Sequence, residues 1–273
     1  MMLRTWLEEA TTRLEQAGVR EARLKAEWML ADQLETGRLD LHERREETLD
    51  PGPLASRLSR LCAHEPLQYV SGWTEFMGLR FATDRRALIP RPETELLVEW
   101  VMDLAPPGGR VLDVGTGSGC IAIALAKLRP DLELTALDRS QPALDLAREN
   151  ARALQVPLRF LESDLLAAVA GESFDLIVSN PPYVAGTDMR KLERQILEYE
   201  PAAALLGGLA GTEIMAKLAP QAHAALRPSG RLVLEIGENQ TKDVEMILAA
   251  AGFREISVRP DLAGRARMAH GLK

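Results

Sequence analysis

The sequence predicts an α/β protein: a mostly parallel sheet covered by helices on both faces, with a small helical domain ahead of it. Three observations carry this expectation. Before about residue 70 the apolar residues recur at helical spacing. From Arg110 onward, strand-like apolar runs alternate with helical ones, the order that builds βαβ units and a parallel sheet. Between the first such strand and helix stands Gly115-Thr116-Gly117-Ser118-Gly119, a turn in which glycines allow positive φ and close ligand approach.

The N-terminal elements follow from their patterns. Leu3, Trp6, Leu7, Ala10 and Leu14 share one helical face, opposite Glu8, Glu9, Arg13 and Glu15. A second helix is expected over 21–34, with Leu24, Trp28, Met29 and Leu30 as its apolar side and Gly37 as the stop. Both Trp6 and Trp28 are expected in the core. Residues 39–48 predict a short charged helix, Asp50-Pro51-Gly52-Pro53 a break, and 54–63 a helix built on Leu54, Leu58 and Leu61. Residues 68–73 and 79–83 have strand composition and predict a hairpin. The expected organisation is a helical domain over 1–70, a β-hairpin linker over 71–90 and an α/β domain over 91–273.

Ile89-Pro90-Arg91-Pro92-Glu93-Thr94-Glu95 breaks regular structure twice and ends in acidic residues suited to a helix start. The helix itself is expected over 96–104, ended by Pro106-Pro107-Gly108-Gly109. Strands are then predicted at 110–114, 132–138, 157–162, 174–179, 231–236 and 253–258. Helices are predicted at 120–128, 141–154, 212–226 and 239–251.

Bulk properties exclude several functions. In 273 residues, 46% are hydrophobic and the formal net charge is −7, the balance of a globular protein with a full core. That charge argues against a large nucleic-acid footprint, which needs clustered Lys and Arg. Two cysteines, Cys62 and Cys120, show neither disulfide nor zinc spacing, so no metal is expected and a reducing, cytoplasmic setting is. The start turns acidic before any apolar run develops, unlike a signal peptide. No uncharged run reaches membrane-spanning length. His42, His64, His223 and His270 are scattered, and no partners are expected for them. Arg254, Arg259, Arg265 and Arg267 make a basic stretch that reads as a solvated edge, with a guide for a basic or RNA-bound partner as the weaker alternative.

Candidate chemistry gathers at strand ends. The turn Gly115 to Gly119 follows the first strand, and Asp138 ends the second, where a nucleoside-binding fold places the acid that accepts both ribose hydroxyls. Asp164 and Leu165 follow the third and are candidates for an adenine edge and face. Asn180-Pro181-Pro182-Tyr183 follows the fourth, Phe174 to Ser179. Prolines have no N–H and push the preceding residue out of the helical region. Backbone carbonyls and the Asn180 side-chain oxygen are thus left as converging acceptors beside the Tyr183 ring, the complement of a flat group carrying an NH2. A primary amide fits, and so does the adenine amine; an ordinary loop terminator is the plainer alternative. A glycine turn and ribose acid without a lysine-bearing phosphate loop describe an adenosine ligand. Beside an amine-reading loop, the economical hypothesis is methyl transfer from S-adenosylmethionine.

At this point the chain resembles the N5-glutamine methyltransferases that modify peptide chain release factors. The likeness rests on the glycine turn, Asn-Pro-Pro-Tyr and the 89–95 segment. It extends to 68–76 with Tyr69, Gly72 and Glu75, to Glu200-Pro201, to Leu234-Glu235-Ile236-Gly237 and to 261–267. The resemblance implies a class I methyltransferase fold, Rossmann-like with a seven-stranded sheet. It implies that Gly115, Thr116, Gly117, Ser118, Gly119 and Asp138 hold S-adenosylmethionine with Asp164 and Leu165 near the adenine, and that Asn180 to Tyr183 grip the acceptor glutamine, Asn180 bordering both ligands. Relatives with an aromatic near Leu165 make that contact a departure. The implied partner is a class 1 release factor acting as substrate for a monomer that binds neither membrane nor nucleic acid. A glutamine on a ribosomal protein, adenine N6, a non-catalytic adenosine-binding module and a dehydrogenase remain the alternatives.

Overall fold

The computed structural model describes residues 1–273. Helices α1 (Leu3–Gln16), α2 (Ala22–Gln33), α3 (Gly52–Cys62) and α4 (Leu67–Ser71) precede the paired strands β1 (Trp73–Phe76) and β2 (Leu79–Ala82). There follow α5 (Pro92–Leu104), β3 (Arg110–Val114), α6 (Cys120–Leu128), β4 (Glu133–Asp138), α7 (Gln141–Ala153), β5 (Arg159–Glu162), β6 (Phe174–Ser179) and β7 (Val184–Ala185). The chain closes with α8 (Arg194–Tyr199), β8 (Leu206–Gly208), α9 (Glu213–Ala225), β9 (Leu226–Glu235), α10 (Thr241–Ala250), β10 (Arg254–Pro260) and β11 (Ala266–Leu272). It divides into two compact units, one of Met1–Trp73 with Glu193–Tyr199, the other of Thr74–Leu192 with Glu200–Lys273.

The first unit is helical. Leu3, Trp6, Leu14, Met29, Leu30 and Leu54 are among the residues that form its core. The late helix α8 belongs to it, and the Tyr199 hydroxyl donates to the Ala63 carbonyl at 2.7 Å. Three expectations are corrected here. Trp28 is 45% exposed, because Ala22, Ala26, Met29 and Leu30 take the inner face of α2; the Arg38 guanidinium covers its ring at 5.7 Å. The charged stretch 39–48 forms only a single 3-10 turn, Leu39–His42. Residues 68–71 are helical rather than extended: Pro66 precedes the helix, Tyr69 and Val70 turn inward, and Gly72 caps it at φ +80°.

In the second unit a seven-stranded sheet has the order β10-β11-β9-β6-β3-β4-β5. Strands β9, β6, β3, β4 and β5 pair parallel, and β11 runs antiparallel to both β9 and β10. Buried strands alternate their faces. Leu176 and Val178 of β6 pack with Leu97 and Val101 of α5 and Ile121 of α6. Ile177 packs the other way, with Leu218 of α9 and Val244 of α10. Strand β11, Ala-Arg-Met-Ala-His-Gly-Leu, escapes sequence reading because its polar residues and glycine hide a buried run. His270 within it is buried and does have partners, Arg231 at 2.8 Å and Ser257 at 3.3 Å.

The hairpin expected as a linker contributes to the second unit's core. Phe76 and Phe81 are buried with the α5 and α6 residues, their rings edge to face at 6.0 Å. Asn150 Oδ1 accepts from the Ala82 N–H at 2.7 Å. Helix α5 starts four residues earlier than expected, with Pro92 in the first turn beside Glu93 and Glu95. That start puts Thr94 on the helix.

Truncating Phe81, 0% exposed, removes a full core side chain. Phe81→Ala should lower stability by about 3–5 kcal/mol, read as a lower urea midpoint; a change under about 1 kcal/mol would show the hairpin to be peripheral.

Candidate active site

The sheet order reverses at β3: β4 and β5 lie to one side of it and β6 to the other. Crevices at such switch points, outside the carboxyl ends of the strands, bind ligands. The glycine turn leaves β3 there, and the Gly115 and Thr116 N–H groups donate to the Leu137 carbonyl of β4 at 2.8 and 2.9 Å. Gly115 and Gly117 hold φ of +78° and +56°. A Cβ on Gly115 would meet nothing within 4 Å, and one on Gly117 only Ala87 at 3.9 Å, so their Cα atoms face open space that a ligand can approach. Gly119 differs. A Cβ there would lie 2.7 Å from Ile123 Cδ1, so its lack of a side chain serves the packing of α6.

The carboxylate of Asp138 ends β4 and is tied to the turn. Its Oδ2 accepts from Gly117 N–H at 2.8 Å and its Oδ1 from Ser140 N–H at 2.9 Å. Each oxygen keeps acceptor capacity for a hydroxyl. Burial raises its pKa, and these N–H groups oppose the rise. Asp113, unnoticed in the sequence, is 0% exposed at the end of β3. Thr116 Oγ1 donates to its Oδ2 at 2.6 Å, while Oδ1 has no hydrogen-bond partner. Burial pushes its pKa up to about 7 against that hydrogen bond. Two left-handed glycines open to the crevice, a carboxylate with free lone pairs and an orphaned buried oxygen fit a cationic nucleoside such as S-adenosylmethionine. Beyond β5, Leu165 stands half-buried at φ +50°, its carbonyl accepting from Ser163 Oγ at 2.8 Å. Asp164 beside it is exposed.

Strand β6 delivers Asn180 next to this turn. It pairs with β3 in parallel register, Ser179 opposite Val114, and Ser179 Oγ donates to the Val114 carbonyl at 2.6 Å. Asn180 Nδ2 donates to Thr94 Oγ1 at 3.2 Å. Pro181 is buried, and no backbone N–H donates to its carbonyl. The Tyr183 hydroxyl donates to Glu235 Oε1 at 3.2 Å. Burial and the neighbouring Glu235 raise the phenol's pKa, so it stays protonated.

Residues absent from the sequence reading hold the loop backbone. Gln240 Nε2 donates to the Tyr183 carbonyl at 2.9 Å, while its Oε1 accepts from Gly237 N–H at 2.9 Å. A Cβ on Gly207 would come within 2.5 Å of the Pro182 carbonyl oxygen, and one on Gly211 within 2.5 Å of the Tyr183 carbonyl oxygen. The loop therefore rests directly on two glycines. Glu200, 5% exposed, takes the Arg91 guanidinium and the Ile89 N–H at 3.2 Å, which fixes the segment leading into α5. Glu200 and Gly237 lie in segments that the resemblance names, while the glycines of the unread stretch 206–211 are a further available signal.

The fold and this two-part crevice define a class I S-adenosylmethionine-dependent methyltransferase. Residues 92–209 match the methyltransferase small domain and 5–72 the PrmC N-terminal domain. The release factor glutamine methyltransferase of Koribacter versatilis is 42% identical over 100% of this chain and 99% of its own length. That of Burkholderia pseudomallei is 44% identical over 91% of each chain. The chain belongs to the release factor glutamine methyltransferase family. Its fold is also that of a methyltransferase from Pyrococcus furiosus, 18% identical with a TM-score of 0.57, over 82% of this chain and 99% of that one.

Two outcomes follow from the geometry. Gly211 sits at φ +86° against Tyr183, so Gly211→Ala should displace the loop and cut turnover at least about 10-fold, with cofactor affinity by calorimetry unchanged. Asp113 binds its proton more tightly folded, at about 7, than at its ordinary 3.8. Its contribution to stability is full below 3.8 and lost as pH rises through 7. The melting temperature of the native chain relative to Asp113→Asn should therefore fall between those two values.

Proposed function

We propose that this chain methylates the side-chain amide nitrogen, N5, of a glutamine in class 1 peptide chain release factors, with Asn180 to Tyr183 as the acceptor site. The observation that carries this reading is the adjacency of Asn180 and the glycine turn at the ends of paired strands β6 and β3. Family membership supports the acceptor. S-adenosylmethionine, when bound, supplies a methyl group activated on a sulfonium. Gly115, Thr116, Gly117 and Ser118 line its approach, Asp138 accepts from its ribose, and Asp164 and Leu165 border its base.

An amide nitrogen is a weak nucleophile because its lone pair is delocalised into the carbonyl. Asn180 Oδ1 and the Pro181 carbonyl each accept one N–H of the acceptor amide, which favours the geometry that aims the lone pair into the crevice. Pro182 keeps the backbone extended, and the Tyr183 ring gives the planar amide a face to lie on. Positioning and fixed dipoles carry the rate. The N-alkylated amide is strongly acidic and loses its proton to water, so no side-chain base and no metal are needed.

The helical unit reads the protein surface around the glutamine. Its separate core and the short reach of the loop support that division. The enzyme works as a cytoplasmic monomer; its net charge of −7 supports the absence of nucleic-acid binding. No helix is long and apolar enough to cross a membrane.

Incubation with methyl-labelled cofactor and, in parallel, release factor, ribosomal protein and DNA should label only the release factor, at a single glutamine by mass mapping. Label in DNA instead would reject the reading. Asn180→Ala should lower transfer at least about 100-fold, with cofactor affinity weakened at most about 3-fold; turnover at the native rate would remove Asn180 from the role.

A further inference from the structure

Glu235 is a buried carboxyl group beside the acceptor loop. It ends β9, the strand next to β6, and is 2% exposed. A carboxyl buried this deeply is costly unless its oxygens are satisfied. Both are: Thr94 Oγ1 donates to Oε2 at 2.7 Å and the Tyr183 hydroxyl donates to Oε1 at 3.2 Å. Thr94 is itself 2% exposed, in the first turn of α5. Asn180 Nδ2 lies 3.2 Å from the same Thr94 hydroxyl. One carboxylate thus anchors both ends of Asn180 to Tyr183, through Thr94 at the first residue and directly at the last.

The donor and acceptor inventory gives this chain a direction. Thr94 Oγ1 donates to Glu235 Oε2, so its single hydrogen is committed there. Its remaining lone pairs can then only accept, which requires the NH2 end of the Asn180 amide to point at Thr94. The carbonyl end must point away, into the crevice. Without the relay the two ends of an asparagine amide are nearly the same shape, and rotation by half a turn would offer an incoming NH2 a donor instead of an acceptor. Tyr183, whose hydroxyl also donates to Glu235, is held by the same rule.

We infer that Glu235 and Thr94 are positioning residues that fix the orientation of the Asn180 amide, so that its Oδ1 and not its Nδ2 meets the acceptor. They touch neither substrate nor cofactor. The relay also sets specificity: a crevice with Oδ1 forward selects a hydrogen-bond donor, the NH2 of a primary amide, over a carboxylate of the same shape. The inference rests on the reading of Asn180 given above.

The test compares Thr94→Val, Thr94→Ser, Glu235→Gln and Asn180→Ala in the full-length chain. It measures transfer of labelled methyl to release factor, cofactor affinity by calorimetry, and hydrogen exchange of the Asn180 side-chain NH2 by NMR. Val keeps the shape of Thr without the relay, and Gln puts a donor where only an acceptor stood. Both should lower kcat by about 10- to 100-fold, leave cofactor affinity within about 2-fold and speed exchange of the Asn180 amide protons. Ser, which restores the hydroxyl, should recover most of the rate. If Asn180→Ala is inactive while Thr94→Val turns over at the native rate, the relay is refuted and the acceptor reading stands. A loss in Thr94→Val matched by an equal loss of cofactor affinity, or not recovered by Ser, marks a merely structural role and also refutes it. Full activity of Asn180→Ala would overturn the acceptor reading and the relay with it.

Discussion

The parallel pairing of β3 with β6 is the contact on which the site depends. Sequence order would place β6 beyond β5, yet it returns to the opposite side of β3. Two loops, the glycine turn and Asn-Pro-Pro-Tyr, thereby emerge from neighbouring strand ends. Register matters as much as neighbourhood, because a shift of one residue would turn Ile177 and Val178 to the wrong faces. Those two side chains belong to opposite cores, so hydrophobic burial on both sides of the sheet holds the loops level. The Ser179 hydroxyl closes the last step onto the Val114 carbonyl at 2.6 Å.

Around this frame the protein buries an unusual set of carboxyl groups. Asp113, Glu200 and Glu235 are each 5% exposed or less. Such groups cost free energy unless satisfied, and they are met differently: Asp113 by Thr116 on one oxygen with the other unpartnered, Glu200 by Arg91 and the Ile89 N–H, Glu235 by two hydroxyls. Glu200 fixes the entry to α5, and Glu235 holds the Asn-Pro-Pro-Tyr loop through Thr94 and Tyr183. Asp113 sits under the glycine turn, where burial drives its pKa up to about 7. Burial opposes ionisation at Glu235 too, with Arg267 and the hydrogen bonds from Thr94 and Tyr183 working against it.

How much was legible follows from the kind of signal each element carries. Helices α6, α7, α9 and α10 and strands β3 to β6 have strong periodicity and appear within a few residues of expectation. The stretch 68–71 misled because its β-branched and aromatic residues favour strands, while Pro66 and Gly72 impose a helical turn. Trp28 misled because helical spacing identifies a face only to within a residue, and Ala22, Ala26, Met29 and Leu30 claimed the inner one. Strand β11 went unread because its place between β9 and β10 is set by long-range antiparallel pairing rather than by local pattern. Gly207, Gly211 and Gln240 were silent since each acts on a backbone that the sequence does not place.

By itself the sequence determined the class of the fold, a glycine turn with an acid at the next strand end, and a proline loop rich in free acceptors. Those follow from local rules: strand and helix periodicity, the φ range of glycine, and the missing N–H of proline. Only the tertiary structure decided that Glu235 and Thr94, distant in sequence, stand behind that loop, and that Asn180 Nδ2 turns to Thr94. A sequence lists donors and acceptors, whereas their pairing depends on which strands become neighbours. Once β9 lies beside β6 and α5 packs across both, one buried carboxylate dictates the direction of every hydrogen bond that reaches it.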